Sequence, residues 1–231
     1  MWQLVTANGV FSASQLPPPA DVISALTELA RRDELWTHLR VSICRAVLGY
    51  LCGAVAALVL GSLVGLSVMV RRLLAPTVEA FRTVPSLAWV PLLLLWFGIG
   101  EEPKILLVAL GAFFPVYTTT ASALSHVDPH LLEVGRAYGR RGVSLLLTVQ
   151  LPAAAPALLN GLRLGLANAW LFLVAAELIA SSKGLGFLLI DSQNTGRTDV
   201  MVLAIVLLAA LGKLSDSAFG VVEHRVVQRR S

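Results

Sequence analysis

Few side chains among these 231 residues could do chemistry, and they are dispersed. Cys44 and Cys52 stand eight positions apart, about 12 Å along a helix. That is too far for a disulfide, so two small thiols on an apolar face are the better description. His126 and His130 are four apart with Pro129 between them, no helix need cover both, and no metal site is expected. There is no Gly-rich phosphate loop ending in Gly-Lys-Ser/Thr and no Gly-x-Ser-x-Gly elbow. An enzyme would need paired acid, base or metal groups at one depth; the apolar stretches offer only scattered single charges.

The densest pattern lies between His126 and Pro156. Asp128-Pro129 is a helix start, an N-cap acceptor followed by proline at the first helical position. Leu131, Leu132, Ala137 and Tyr138 give an apolar surface, and Glu133 sits near the positive end of the helix dipole. Gly139 is placed to stop the helix. Arg140 and Arg141 follow, then a second short helix ending at Pro152. Such a short amphipathic helix suits docking into a groove on a soluble partner. The competing reading is a surface loop lying on lipid headgroups.

Other polar residues are isolated. Glu177 lies near the end of an apolar run, where an ionisable group is costly and defaults to a functional role. It and Asn168 are candidate pathway residues. Glu177 could instead cap the next loop by accepting from backbone amides around Ser181 and Ser182. Lys213 and Asp216 are three apart and share a helix face, so a structural pair is expected. Asn160, Asn168 and Asn194 could line a polar route or join helices. Trp89, Trp96 and Trp170 read as packing or interface anchors.

The elements that must carry these residues are apolar. The chain is 56% hydrophobic and 14% charged, with a mean hydropathy of +0.77; a soluble domain carries about 25% charged residues. A spanning helix needs about 20 mostly apolar residues. Five segments qualify: 46–70, with Gly53, Gly61 and Gly65 as small packing residues; 83–100, kinked by Pro85 and Pro91; 105–125; 156–180, carrying Arg163 and Glu177; and 200–222. The expected fold is an all-α polytopic membrane protein with five transmembrane helices and a docking helix at 129–138.

Charge orients it. The segments holding Arg71, Arg72, Glu79 and Arg82, then Asp128, Glu133, Arg136, Arg140, Arg141 and Arg163, then Glu223, Arg225, Arg229 and Arg230 each carry a net +2. On the opposite side, Glu101, Glu102 and Lys104 carry a net −1, and Lys183, Asp191, Arg197 and Asp199 carry none. Positive segments stay in the cytoplasm, so loop 126–156 and the C-terminus are expected inside and the N-terminus outside. The total of +4 is thus an orientation signal, and no nucleic-acid partner is implied. Three units follow: an external segment 1–45 with an amphipathic helix from Asp21 to Arg40 (Val22, Leu26 and Leu29 on one face), the membrane domain 46–222 with loop 126–156, and a basic cytoplasmic tail 223–231.

The loop resembles a family. Binding-protein-dependent ABC importer permeases carry a cytoplasmic motif E-A-A-x-x-x-G, then nine residues, then I-x-L-P. Here Glu133 is followed six positions on by Gly139, and nine residues then separate Gly139 from Val149-Gln150-Leu151-Pro152. Val134 and Gly135 replace the two alanines, and Gly135 should weaken the helix by about 1 kcal/mol relative to Ala. Arg82-Thr83-Val84-Pro85-Ser86, Trp96-Phe97-Gly98-Ile99-Gly100, Ala176-Glu177-Leu178 and Gly184-Leu185-Gly186 resemble the branch handling sulfonates, taurine and nitrate. Trp2 and Leu16-Pro17-Pro18-Pro19 resemble the outer segment after that branch's first span. Most members have six spans, so this chain is expected to be one short.

The resemblance implies a bacterial inner-membrane permease. It pairs with a second copy, expected to be identical, and sits in lipid above soluble ATPase subunits. A periplasmic binding protein delivers a small anionic solute, aliphatic sulfonates first, with taurine or nitrate close behind. ATP and magnesium belong to the ATPase partner, and this chain holds no catalytic residue, metal or cofactor. Coupling to the ATPase falls on Glu133, Gly135, Ala137, Tyr138, Gly139, Leu151 and Pro152. A carboxylate would repel an anion, which argues against direct solute contact by Glu177. The readings from other classes are an ATP-independent carrier and an intramembrane enzyme.

Overall fold

A computed structural model describes residues 15–228, all helix, turn or connection, with no strand among them. Expectations for Trp2, Arg229 and Arg230 lie outside the described residues. The helices are α1 Pro19–Arg31, α2 Glu34–Leu66, α3 Val68–Thr83, α4 Val90–Phe97, α5 Glu102–Ser125, α6 Pro129–Ala137, α7 Gly142–Leu145, α8 Leu151–Ala180, α9 Leu185–Asn194 and α10 Thr198–Gln228. Four are long and apolar enough to cross a membrane, and five spans result if the bent pair formed by α3 with Ser86–Phe97 is one.

Several boundaries differ from expectation for local reasons. The amphipathic helix expected to reach Arg40 stops at Arg31, because Asp33 takes a left-handed conformation (φ 58°), one that Asp tolerates better than most residues. Its apolar face is as expected: Val22 and Leu29 are buried, and Leu26 packs beside them. The first apolar helix starts at Glu34, twelve residues before expected, and runs through position 45 unbroken. It ends at Leu66 because Ser67 is extended and caps α3, its hydroxyl accepting from the Val70 amide at 3.4 Å. The kinked helix expected over 83–100 is instead the second arm, Ser86–Phe97, of a bent pair whose first arm is α3. Val84 is extended, as a residue before proline must tend to be, and the two arms meet at 87°.

α5 is the centre, with α2 and α8 on either side. Close approach is set by small residues repeating every four positions on α2: Gly49, Gly53, Ala57, Gly61 and Gly65. A methyl group at Gly61 would stand 2.9 Å from Thr120 Cβ, and one at Gly65 would stand 2.9 Å from Leu124 Cβ. On α8, a methyl at Gly165 would stand 2.6 Å from Val116 Cγ2. Such stripes let apolar helices touch backbone to backbone, so dispersion contacts replace the hydrophobic drive that lipid removes. Val108, Ala112 and Val116 of α5 are fully enclosed as a result.

α1, α9 and α10 form a second cluster through Val22, Leu29, Leu185, Leu188 and Leu203. Arg197 clamps it, donating to Glu28 Oε2 at 2.8 Å and Asp199 Oδ2 at 2.9 Å. The Arg197 hydrogen bond is the main cause holding the Glu28 carboxyl below its ordinary range.

Candidate functional site

The loop between α5 and α8 builds α6 as its sequence dictates. The Asp128 carboxylate accepts from the His130 amide at 2.8 Å, and Pro129 opens the helix. At the other end Gly139 has φ 75°. Its amide donates to Arg136 O at 2.9 Å, and the Arg140 amide donates to Gly135 O at 3.0 Å. This paired closure satisfies two terminal carbonyls and requires the left-handed turn that glycine adopts without steric penalty.

One face of α6 is seated on the bundle. Leu132 packs against the cluster of Leu124, Val127 and Ala154, which also holds Leu151. Gly135 is buried, and a methyl there would meet Leu145 Cδ1 at 2.6 Å and Val149 Cγ2 at 2.9 Å. The adjoining side carries Leu131, Val134 and Tyr138, three and four residues apart, all exposed; Tyr138 is 82% exposed. Glu133 is exposed as well, its carboxylate 4.0 Å from His130 Nδ1, and Ala137 is exposed beside it. A helix seated on one side with an exposed apolar stripe beside the seat is arranged to dock.

The second short helix does not end at Pro152. α7 runs into a stretch of wide turns, Leu146–Gln150, and then directly into α8. Proline has no amide for the usual bond to the fourth residue back. The Leu151 amide already reaches five back, to Leu146 O, so the register widens where the proline enters. Such wide turns concentrate at functional sites. The expected coupling residues are therefore brought together, Glu133, Gly135 and Ala137 on α6, Tyr138 and Gly139 at its C-terminal cap, and Leu151 and Pro152 at the root of α8.

The expected pathway residues are not together. Glu177 and Asn168 are nine residues apart on α8, about 13 Å along the axis. Asn168 Nδ2 donates to Leu164 O of its own helix at 2.9 Å. Glu177 is fully buried at the far end from α6. It accepts from Arg45 Nη1 at 2.9 Å and from the Gly186 amide at 2.8 Å, and Ser42 Oγ lies 2.8 Å from both its oxygens. Ser42 Oγ in turn accepts from the Leu185 amide at 2.8 Å. The loop is capped, but at Gly186 rather than around Ser181 and Ser182.

Arg45 completes this buried lock. It donates to both Glu101 oxygens at 2.6 Å, to Ser181 Oγ at 3.0 Å and to Lys183 O at 2.6 Å. Its hydrogen bonds, helped by Lys104, pull the Glu101 carboxyl down to about 2. The lock joins α2, the start of α5 and the α8–α9 turn. The expected Lys213–Asp216 pair is replaced by Arg163, which grips Asp216 at 2.6 and 2.9 Å across α8 and α10. A planar guanidinium fits a carboxylate with two bonds where an ammonium makes one. The sequence reading placed Arg163 inside an apolar run but assigned neither it nor Arg45 a partner, although an isolated arginine at or inside such a run calls for one.

Among the described residues no group of three His, Cys, Asp or Glu could hold a metal. Residues 49–228 match the family model described as the binding-protein-dependent transport system inner membrane component. The chain is 42% identical over its whole length to a Bacillus subtilis (strain 168) protein, SsuC, named for aliphatic sulfonates transport, covering 84% of that protein. It is 35% identical to the taurine transport system permease protein TauC of Escherichia coli (strain K12), over 98% of this chain and 84% of that one. A chain of the inward-facing MetNI methionine ABC transporter superposes with a TM-score of 0.73 at 23% identity, over 83% of this chain and 95% of that chain. The chain belongs to the family of binding-protein-dependent ABC importer permeases and is a transport subunit.

Proposed function

We propose that this permease imports small sulfonates. It pairs with a second, identical copy in the bacterial inner membrane, its C-terminus and α6 facing the cytoplasm. Soluble ATPase subunits bind ATP and magnesium and receive α6 in a groove, and a periplasmic protein delivers the solute. The observation that carries this reading is the exposed stripe Leu131, Val134 and Tyr138 on a helix seated through Gly135. The full-length likeness to a protein named for sulfonate transport supports the substrate class.

The test is reconstitution in liposomes with the cognate ATPase and binding protein, following ethanesulfonate uptake. Uptake should need ATP. Tyr138→Ala should lower ATPase copurification and uptake together by about tenfold or more, the loss typical of a central aromatic anchor. Uptake that proceeds equally without ATP, or a Tyr138→Ala complex that copurifies and transports normally, refutes the reading.

A further inference from the structure

A cleft of about 360 Å³ opens between α3 and the α6-proximal half of α5, lined among others by Arg71, Glu79, Arg82, Tyr117 and Ser122. Two of these side chains are unspent. Arg82, in the last turn of α3 just before the 87° bend, has no ion pair or hydrogen bond with any described residue. Its side chain is exposed and lines the cleft, so its donors are open to a ligand there. Tyr117 is only 4% exposed, its ring stacks on Phe113 at 5.7 Å, and its hydroxyl has no partner among the described residues. The ring is enclosed but the hydroxyl is not a buried atom, and the residue lines the cleft.

The other groups limit what can fill the cleft. Arg71 is spent on the end of α2, donating to Val64 O at 3.3 Å and Gly65 O at 3.2 Å. Thr118 donates to Phe114 O at 2.9 Å, so it offers no donor. With two guanidinium groups, one carboxylate, Glu79, and a neutral His126, the walls carry a single net positive charge. A singly charged oxyanion balances that, whereas a dianion overshoots it and meets Glu79. A guanidinium beside a hydroxyl donor suits the several acceptor oxygens of such a group.

The geometry points to a binding site for a monoanionic oxyanion headgroup of the sulfonate kind, with Arg82 and Tyr117 as its donors. Its identification with a transported solute rests on the function proposed above. Bends in broken spans are where transporters place such sites, and this cleft lies directly beside one. A phosphodiester headgroup of an anionic lipid shares the chemistry and is the alternative source.

The experiment uses the permease–ATPase complex in phosphatidylcholine nanodiscs, with Cys44 and Cys52 replaced by Ser and Ser122→Cys as the single thiol. Labelling by a neutral maleimide is timed with and without ethanesulfonate. Ethanesulfonate should slow labelling several-fold. Arg82→Gln should abolish the protection and Arg82→Lys restore part of it. Tyr117→Phe, which keeps the ring, should raise the half-protecting concentration by about tenfold, the effect of one hydrogen bond to a charged group. Equal labelling with and without ethanesulfonate overturns the site, as does protection untouched by Arg82→Gln and Tyr117→Phe. Protection that appears only when phosphatidylglycerol is added gives the cleft to lipid and also overturns it. Protection in a complex that cannot transport ethanesulfonate would sink the transport reading and leave the site standing. Transport without protection would sink the site alone.

Discussion

Glu177→Ala strikes the fully buried carboxylate that joins α8 to α2 and to the start of α9. Three losses follow. The Gly186 amide loses its acceptor, Ser42 loses its acceptor, and Arg45 loses one of its two carboxylate partners. Breaking a buried ion pair from one side costs about 3–5 kcal/mol. Arg45 keeps both bonds to Glu101, so the lower end of that range, about 3 kcal/mol, is expected. For a chain of this size that corresponds to a fall in Tm of about 6–12 °C.

Glu177→Gln keeps an acceptor for Gly186 and loses only the charge, so its cost should be about 1 kcal/mol. The Glu101 bonds make a sharper claim. Glu177→Ala combined with Glu101→Gln leaves a nearly enclosed guanidinium with no carboxylate, and the double variant should lose more than the two single losses added. The assay is thermal unfolding of the detergent-solubilised complex followed by tryptophan fluorescence. A Glu177→Ala protein within about 2 °C of the parent would refute the reasoning, because that shift corresponds to under 1 kcal/mol. So would a strictly additive double variant.

Two further outcomes follow from the same geometry. Glu101 is depressed from its ordinary 4.5 to about 2, so the stability it contributes is complete above 4.5 and is lost as pH falls towards 2; Tm should hold between about pH 5 and 7 and drop below 4.5, with a shallower drop in Glu101→Gln. Gly61→Val should destabilise by about 1–3 kcal/mol, because the added carbons meet the Tyr117 backbone carbonyl at 3.0 Å, which cannot swing aside; a Tm equal to the parent's would show that α2 and α5 do not pack this closely.

What the sequence discloses is what local rules control. The ends of α6 are legible because Asp128, Pro129 and Gly139 act on their own backbone neighbours. The α2 stripe is legible because its spacing is a helix repeat. Arg45 and Glu177 are 132 residues apart, and no periodicity links them. Lys213, three residues from Asp216, is the partner visible in one dimension, whereas Arg163, on another helix, is not. The 87° bend is illegible for a different reason. Pro85 inside an uncharged run reads equally as a kink or as a break, and the choice depends on whether neighbouring helices supply bonds to the freed backbone.

Gly135 shows how a local rule and a packing rule compete. Helix propensity alone makes Gly135→Ala favourable by about 1 kcal/mol. The seat opposes it, because the new methyl meets Leu145 Cδ1 at 2.6 Å and Val149 Cγ2 at 2.9 Å. Leu145 offers only the far end of a flexible side chain. Val149 is stiff at χ1 and lies in the wide-turn stretch leading into α8. The two effects should nearly cancel, leaving Gly135→Ala within about 1 kcal/mol of the parent. Gly135→Leu has no such compensation. It must lift α6 off Leu145 and Val149, which lead into the root of α8, and under the proposed function that contact carries the motion of α6. The expected result is a complex that keeps the exposed Leu131, Val134 and Tyr138 stripe and binds ATPase, yet hydrolyses ATP without matching uptake. Normal uptake per ATP in Gly135→Leu would show that motion reaches α8 by another route.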